Sequence, residues 1–287
     1  PYTWGSPRSR SISSILLEIE SLLDLGVHRI VLEAPDFLDF HRGTGLVSDP
    51  CQPAANIEEI TKLLNAINSH QSFSEGIAHL SIENMKSCLF DEKVASVLSE
   101  TLPETSPNIG LETGSEEHLH QIGKCGTAND VLRAVRIAKQ YGMTPFVYLI
   151  YGLPGETPET IKKSIELMNE LEHAGVERII LYGFRALPGS AFADFPEPNP
   201  KDPATYQLRK AAARINRARK RDYVDKVLRG VAAEPSWERH GYTMVYPLRE
   251  GPLMTVIGGY TPGTIMDVRV TKVLSSGLVL GEVVTWE

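Results

Sequence analysis

The amino-acid sequence predicts an α/β protein with a parallel sheet, followed by a small all-β domain. Up to about residue 190, short hydrophobic runs alternate with amphipathic helical segments. One of these runs, residues 146–151, leads directly into a glycine-rich turn and a helix. After residue 226 the helical period disappears, and glycines separate short alternating segments. Strict alternation of strands and helices is typical of a parallel sheet with right-handed crossovers.

Residues 145–160, PFVYLIYGLPGETPET, form the most informative unit. The run before Gly152 is aromatic, β-branched and aliphatic throughout, as in a parallel strand that is buried on both faces. The turn GLPGE is tight because its two glycines tolerate dihedral angles that are closed to other residues, and Pro154 stiffens the path between them. Thr157 caps the following helix, with Pro158 in its first turn. Such a turn either brings the backbone close to a ligand or merely joins two elements.

The other units follow from apolar spacing and capping residues. A helix that is capped by Ser11 ends at Gly26, and another begins at Thr127 with Asp130 three residues further on. The strands are predicted at residues 29–33, 77–82, 109–112, 146–151 and 179–184, with additional helices at residues 57–67 and 92–98. The sequence therefore predicts five strands, each separated from the next by at least one helix.

Polar residues follow every predicted strand, and glycines follow three of the five. The carboxyl ends of parallel strands share one face of the sheet, and active sites lie there. The five segments are LEAPD at 32–36, IEN at 82–84, LETGS at 111–115, YGLPGE at 151–156 and FRALPG at 184–189. Polar residues end strands in many sheets, but the repeated acids and the two Pro-Gly turns favour one shared ligand site.

The segment after the predicted sheet is basic. A proline-rich break at residues 195–203 precedes a helix on which Lys210, Arg214, Arg217 and Arg221 form a stripe. Residues 206–229 contain nine Lys or Arg and two Asp, a local charge of +7 within a chain of net charge −7. Such a stripe is either a solvated helix face or a phosphate-binding surface.

The last segments predict a small antiparallel β-barrel or sandwich. They cover residues 243–246, 253–257, 265–273 and 277–284. The aromatic and basic side chains here offer stacking faces and charge to single-stranded nucleic acid, although packing alone explains the same aromatics. These side chains are Tyr242, Tyr246, Arg249, Tyr260, Arg269 and Lys272.

Composition favours a soluble, cytoplasmic enzyme. The chain is 42% hydrophobic, but no segment is apolar for long enough to span a membrane, and the first residues lack the apolar core of a signal peptide. Cys51, Cys88 and Cys125 are odd in number and widely separated. Their spacing indicates neither a disulfide framework nor a zinc site, so we expect buried or incidental thiols.

The motifs together resemble a known family, the radical S-adenosylmethionine (SAM) methylthiotransferases and their archaeal-type relatives. The segments that carry the resemblance are RSRS at 8–11, GLETGSEEHL at 110–119, IGKCGT at 122–127, IYGLPGET at 150–157 and LPGS at 187–190. Residues 1–191 resemble the radical SAM domain, and residues 226–284 resemble the TRAM domain that is appended to it. The resemblance implies three regions: a radical SAM-like partial barrel at 1–200, a basic linker helix at 201–225 and a TRAM-like (OB-like) β-domain at 226–287.

The resemblance also implies a fold and a cofactor site. The fold is a partial, TIM-like parallel (β/α)6 barrel with SAM lying across the strand ends. The turn Glu33, Ala34, Pro35 meets the methionine amino group, Glu112 faces the ribose, and Ile150, Gly152 and Pro154 pack on the adenine. Lys124 pairs with the SAM carboxylate, and Arg185 is a further cofactor-binding residue. The chemistry agrees, because a ribose diol suits a carboxylate and a flat purine needs unobstructed apolar surface.

One departure from the family concerns its 4Fe-4S cluster. The family holds this cluster in a CxxxCxxC loop before the RSRS segment, and the sequence contains no such triplet. With five βα units instead of six, we expect the first strand and the cluster ligands upstream of Pro1. The three cysteines that are present fall on different βα units. The 287 residues alone are therefore expected to form no cluster and to be inactive.

For the intact protein, the resemblance implies an iron–sulfur enzyme that cleaves SAM to a 5′-deoxyadenosyl radical and inserts a methylthio group into a tRNA adenosine. It needs an electron donor to reduce the cluster. Residues expected to contact RNA are Lys210, Arg214, Arg217, Arg221, Arg249 and Arg269. The alternatives are a radical SAM enzyme of other specificity and a non-catalytic RNA-binding protein whose barrel has lost its cluster. The sequence predicts no oligomeric state.

Overall fold

The computed structural model describes residues 8–43, 49–103, 105–199 and 201–284. Residues 1–7 and 200, at the two ends of the predicted partial barrel, lie outside the described residues. Residues 285–287, at the end of the predicted β-domain, do so as well. The first part of the chain alternates helices and strands. In order, its elements are α1 (Ile12–Asp24), β1 (Arg29–Leu32), α2 (Ile57–Asn68), α3 (Gln71–Ser74), β2 (His79–Ile82), α4 (Glu92–Thr101), β3 (Asn108–Glu112), α5 (Glu116–Gln121), α6 (Ala128–Gln140), β4 (Phe146–Tyr151), α7 (Pro158–Ala174) and β5 (Arg178–Gly183).

The five strands are parallel and follow one another in chain order. β1 pairs with β2, and β3, β4 and β5 form a second ladder. A parallel bridge between Met85 and Ile109 joins the two ladders. Val147 and Leu149 of β4 are buried in the same apolar cluster as Met168 and Leu171 of α7. The predicted α/β class is thus confirmed.

Local capping chemistry explains where the helices begin. The Thr157 hydroxyl accepts the Thr160 N–H at 3.2 Å at the start of α7. Thr127 and Asp130 form a reciprocal capping box on α6. The strand that was predicted at residues 77–82 begins later, at His79, because the short helix α3 precedes it and leaves Ile77 44% exposed.

The basic helix α8 (Pro203–Arg221) covers the edge of the parallel sheet. The buried Asn216 side chain accepts the Ile179 N–H at 2.8 Å and donates to the Ile179 carbonyl at 2.7 Å. Both backbone groups belong to the outer edge of β5, which a neighbouring strand would otherwise satisfy. One face of α8 is therefore structural, and its other face carries the exposed part of the basic stripe.

The C-terminal part is a closed five-stranded barrel. Its strands are β6 (Val227–Pro235), β7 (Tyr242–Pro247), β8 (Leu253–Ile257), β9 (Ile265–Val273) and β10 (Leu278–Val283), arranged in the order β10, β8, β7, β6, β9. The prediction of a small β-barrel missed β6. It was also wrong in expecting only antiparallel pairs, because β8 and β10 run parallel where the barrel closes.

A loop of this barrel docks against the first two parallel strands. Ser81 of β2 donates to Glu250 at 3.0 Å, and His79 lies 3.8 Å from the same carboxylate. Arg29 of β1 is 3.8 Å from Glu250 and donates to the Pro247 carbonyl at 3.1 Å. The parallel sheet and the barrel thus share a partly buried charged contact. Across the described ranges, none of the helices has the length and apolarity that crossing a membrane requires.

Candidate active site at the strand ends

The ends of β1 and β2 are tied together by hydrogen bonds. The Asn84 side-chain amide donates to the Ala34 carbonyl at 2.8 Å, and the Asn84 carbonyl accepts the Phe37 N–H at 2.8 Å. Asn84 adopts a left-handed conformation with φ of 59°. The turn Glu33, Ala34, Pro35 is therefore held next to the end of β2, with Glu33 and Pro35 exposed.

The buried side chain of Asp36 fixes the same loop. Asp36 accepts the backbone N–H groups of Leu38 and Lys86, at 3.1 and 3.2 Å, and forms an ion pair with the Lys86 ammonium at 2.9 Å. Burial raises the pKa of Asp36 above its ordinary value, although the Lys86 charge opposes the shift. Asp36 is therefore a structural clamp.

Glu112 lies at the centre of the face and contacts Lys124 at 2.6 Å. Its φ of 67° and a register shift between Gly110 and Glu112 mark a bulge at the end of β3. A side chain at Gly110 would displace this pair, because its Cβ would lie 2.7 Å from Glu112 Oε1 and 2.9 Å from Lys124 Nζ. The bulge and the glycine together aim this ion pair at the site.

The glycine-rich turn after β4 is internally braced. Gly152, with φ of 73°, donates its N–H to Glu156 Oε1 at 2.8 Å. Burial raises the pKa of Glu156, and the Gly152 hydrogen bond works in the other direction. Ile150 and Pro154 flank this turn and are half-buried.

His118 connects the turn after β3 to the turn after β4. It is 1% exposed, and its two ring nitrogens lie 3.3 Å from the Thr113 hydroxyl and 2.9 Å from the Pro154 carbonyl. His118 belongs to the GLETGSEEHL segment, for which the sequence predicted no role at this position. Its sequence signal is weak, since only the tertiary contact with Pro154 distinguishes it from an ordinary core histidine.

The turn after β3 also packs directly on α7. Gly114 donates its N–H to the Ser164 hydroxyl at 2.8 Å. A Cβ at Gly114 would lie 2.5 Å from the Ser164 Cα, so any larger residue displaces the turn. The ETGS and GLPGET segments are thus one packed unit.

Two tyrosines, on β4 and β5, border the site, and neither was predicted as a site residue. The Tyr148 and Tyr182 rings stack with centroids 5.8 Å apart and 11° between their planes. Tyr148 shares a strand face with Ile150, and Tyr182 is the register partner of Ile150 on β5. Burial, with a smaller contribution from Tyr182, raises the pKa of Tyr148 to about 12, so its hydroxyl stays protonated near neutral pH. Period-two spacing on β4 was the signal available.

Arg185 stands apart from the other predicted cofactor residues. Its side chain is 82% exposed and lies 3.9 Å from the similarly exposed Glu197. In the same proline-rich segment, Pro198 covers Gly152, where a Cβ would lie 2.1 Å from the proline ring. The structure brings the residues at 33–35, Glu112, Lys124 and 150–154 to one face of the sheet, while Arg185 extends into solvent.

The cysteines contradict the expectation from their spacing. Cys51 and Cys88 form a disulfide, and the sulfurs of Cys51, Cys88 and Cys125 all lie within 4.8 Å of one another. They follow β1, β2 and β3 in separate loops, and those loops converge because parallel strands end on one face. Sequence separation therefore hid a local sulfur cluster.

The predicted RNA-binding residues are distributed over α8 and the barrel. Lys210, Arg217, Arg221 and Arg269 are exposed. Arg214 forms an ion pair with Glu172 at 2.8 Å and donates to Asn169 at 2.8 Å. Arg249 lies in the loop that docks on the sheet, next to Glu250.

Comparison with known proteins identifies the family. The family model described as "Radical SAM superfamily" matches residues 1–168, which is more than half of the chain. The chain belongs to the radical SAM superfamily. In this family SAM and a 4Fe-4S cluster are the cofactors.

Individual relatives place the chain within the superfamily. It is 36% identical to an uncharacterized protein of Methanopyrus kandleri over 99% of this chain and 54% of the relative. It is 24% identical to the tRNA-2-methylthio-N(6)-dimethylallyladenosine synthase of Clostridium tetani over 97% of this chain and 59% of that enzyme. The chain thus spans little more than half the length of these relatives. The resemblance to methylthiotransferases is confirmed at this level.

A solved structure supports the fold alone. Methylornithine synthase superposes with a TM-score of 0.50 and 14% identity, and the match covers 73% of this chain and 56% of that one. The predicted partial barrel is therefore shared with this enzyme.

Proposed function

We propose that this radical SAM chain binds SAM across the ends of β1 to β4. We further propose that it is the SAM-binding part of a methylthiotransferase that acts on tRNA. The observation that carries the proposal is the convergence of Glu112, Lys124 and the Gly152 turn, braced by His118. The carboxylate of Glu112, the ammonium of Lys124 and the apolar turn after β4 match the ribose, the carboxylate and the adenine of SAM. Gly110 leaves room beside it for the Glu112–Lys124 pair, and Gly152 offers a flat surface to a purine once the Pro198 ring that covers it is displaced.

Each part of SAM has a partner of matching chemistry. The Ala34 carbonyl, already bonded by Asn84 through one lone pair, retains a second lone pair for the methionine ammonium. Glu112 offers two carboxylate oxygens, of which Lys124 contacts Oε1, so Oε2 suits a ribose hydroxyl. The half-buried Ile150 and Pro154 provide apolar surface for adenine. Lys124, next to these groups, suits the SAM carboxylate.

SAM and the iron–sulfur cluster supply the radical chemistry when bound, and the chain's own residues bind, orient and exclude water. The hydrogen bonds of His118 and Glu156 hold the turn after β4 in one conformation, which fixes the position of a nucleoside packed on it. The stacked rings of Tyr148 and Tyr182 present an aromatic wall beside that position. Such a wall also suits a substrate base, because every base has a stacking face.

The tRNA part of the proposal rests on two supports. The Clostridium tetani relative is named for a tRNA modification, and the exposed cations of α8 and β9 suit a phosphate backbone. A radical SAM enzyme of other specificity shares the same SAM site, and a non-catalytic RNA-binding protein shares only the basic surface. The products of the reaction separate these three possibilities.

The test uses the full-length protein that contains this chain, purified without oxygen and supplied with SAM and a reductant. We expect formation of 5′-deoxyadenosine and, in digests of tRNA, an adenosine derivative that has gained a methylthio group in place of hydrogen. Formation of 5′-deoxyadenosine without that product would reject methylthiotransfer and keep the SAM site. Absence of both, with tRNA binding intact, would favour the non-catalytic alternative.

A further inference from the structure

The three cysteines form a site that the SAM-binding residues do not use. Cys51 follows β1, Cys88 lies in the short helix Ser87–Leu89 after β2, and Cys125 precedes α6. All three sulfurs lie within 4.8 Å of one another, and all three residues are partly accessible. Among the described residues, no other cysteine, histidine or acid contributes a ligand atom to this group.

We propose that Cys51, Cys88 and Cys125, in their reduced state, bind one thiophilic metal centre through three thiolates and leave its fourth position open. Thiolates are the preferred ligands of zinc and of iron in iron–sulfur clusters. A tetrahedral centre with metal–sulfur bonds of about 2.3 Å places its sulfurs about 3.8 Å apart. The three sulfurs, all within 4.8 Å of one another, are thus already close to the separation that such a centre requires.

The surroundings favour a site of this charge. Three thiolates on a divalent ion carry a net charge of −1, and Cys125 lies directly before Gly126 and the capped N-terminus of α6, where the helix dipole favours negative charge. Gly126 brings the backbone close to Cys88, because a Cβ there would lie 3.4 Å from the Cys88 Cβ. Gly126 has a φ of 78°, so glycine at this position suits the left-handed backbone of a loop that lies next to Cys88.

Reduction of the Cys51–Cys88 disulfide frees the site. A dithiol reduces the Cys51–Cys88 bond by exchange: the two sulfurs gain two electrons and two protons, and the dithiol closes to its own disulfide. The three thiols then release three protons as they bind a divalent ion. Lys124 is adjacent to Cys125 and contacts Glu112. The proposed metal ligand Cys125 therefore lies on the same loop as a residue of the proposed SAM site.

The experiment uses the 287-residue chain, reduced with a phosphine and freed of metal. One arm adds Co²⁺ as a spectroscopic probe and then Zn²⁺ as a competitor, and a second arm adds ferrous iron and sulfide. We expect one equivalent of tetrahedral thiolate-bound cobalt that zinc displaces, or one brown cluster per chain. The first result would identify the centre as a zinc-type site with three thiolate ligands. The second would identify it as an iron–sulfur cluster.

Variants and thiol counting decide the ligand assignment. Cys125→Ser should bind at least about 100-fold more weakly, because one of three thiolates is lost, while the exposed change Asn129→Ser in the same segment should keep full binding. Independently of any variant, bound metal should protect all three thiols of the wild-type chain from alkylation. Equal binding by wild type and folded Cys125→Ser, or three thiols alkylated at the same rate with and without metal, would overturn the proposal.

Discussion

Glu112 combines a strained backbone with the central charge of the site. Its left-handed conformation is uncommon for a residue with a long side chain, and such outliers concentrate at functional positions. The bulge at Gly110 and the contact with Lys124 explain how the fold maintains it. The residue thus has a structural explanation and a chemical role in the same place.

Replacing Glu112 with alanine should weaken binding of S-adenosylhomocysteine by about 1–3 kcal/mol, the cost of removing one partner of a charge-assisted hydrogen bond. Isothermal titration calorimetry measures the change. Glu117→Ala is the matched control, because Glu117 is an exposed acid five residues away on α5. Identical affinities for wild type and Glu112→Ala would remove Glu112 from the ribose contact.

His118 is the residue whose loss should separate the two motif turns. His118→Ala removes the partner of the Pro154 carbonyl and leaves a cavity, so the free energy of unfolding should fall by about 1–3 kcal/mol. Affinity for S-adenosylhomocysteine should fall as well, because the turn after β4 loses its brace. Chemical denaturation and calorimetry report the two effects.

The neighbouring exposed His120→Ala provides the control for His118 and should change neither quantity. His118→Gln should recover part of the stability, since an amide can still donate to the carbonyl. If His118→Ala lowered stability and left affinity untouched, the histidine would belong to the core alone.

At the scale of elements, the contact between Glu250 and the strands β1 and β2 joins the barrel to the parallel sheet. Burial acts to raise the pKa of Glu250, but the interactions with His79, Arg29 and Ser81 outweigh it, so the pKa lies below the ordinary glutamate value. The carboxylate is therefore stabilised by folding. Its contribution is fully present above the ordinary pKa and is lost as pH falls through the lower folded value.

Glu250→Gln should remove this pH-dependent part of the stability. The free energy of unfolding of the wild type should exceed that of the variant by about 1–3 kcal/mol at pH 7. This difference should shrink as pH falls below about 4. Urea unfolding at a series of pH values measures it. A difference that stayed constant with pH would assign the effect of Glu250 to packing.

The elements that were predicted well are those whose signal is local. Phe146–Tyr151 and the helix after Thr157 were predictable because a buried run, two glycines and a capping residue lie within 16 consecutive positions. The shared site of the strand ends followed from topology, since parallel strands end on one face. β6 was missed because Val227–Pro235 follows the basic helix without a turn signal of its own.

Interactions between distant segments could not be predicted in the same way. The contact of His118 with Pro154, the stacking of Tyr148 on Tyr182 and the convergence of the three cysteines join loops that are far apart in sequence. Their existence depends on strand order and on side-chain direction, and neither is encoded by local spacing. The cysteine prediction was wrong for this reason: it used spacing where the fold supplied proximity.

At the scale of the whole molecule, the basic stripe of α8 is divided between structure and surface. Arg214 is engaged with Glu172 and Asn169, whereas Lys210, Arg217 and Arg221 are exposed along the helix. Replacing these three by alanine should lower tRNA affinity. The slope of log affinity against log salt should fall by up to about two units, at roughly 0.7 per phosphate contact on single strands.

Filter binding at several salt concentrations measures this slope. A control that replaces the exposed Lys93 and Lys163 on α4 and α7 by alanine should leave it nearly unchanged. An unaltered slope for the α8 variant, at unchanged stability, would assign the stripe to solvent.

The central claim, that SAM lies across the ends of β1 to β4, is tested most directly by a crystal structure with S-adenosylhomocysteine bound. We expect adenine against Ile150 and Pro154, a ribose hydroxyl on Glu112 and the methionine ammonium at the Ala34 carbonyl. Pro198 should be displaced from Gly152 if the adenine uses that surface. A nucleoside bound elsewhere, with these residues unchanged, would contradict the account.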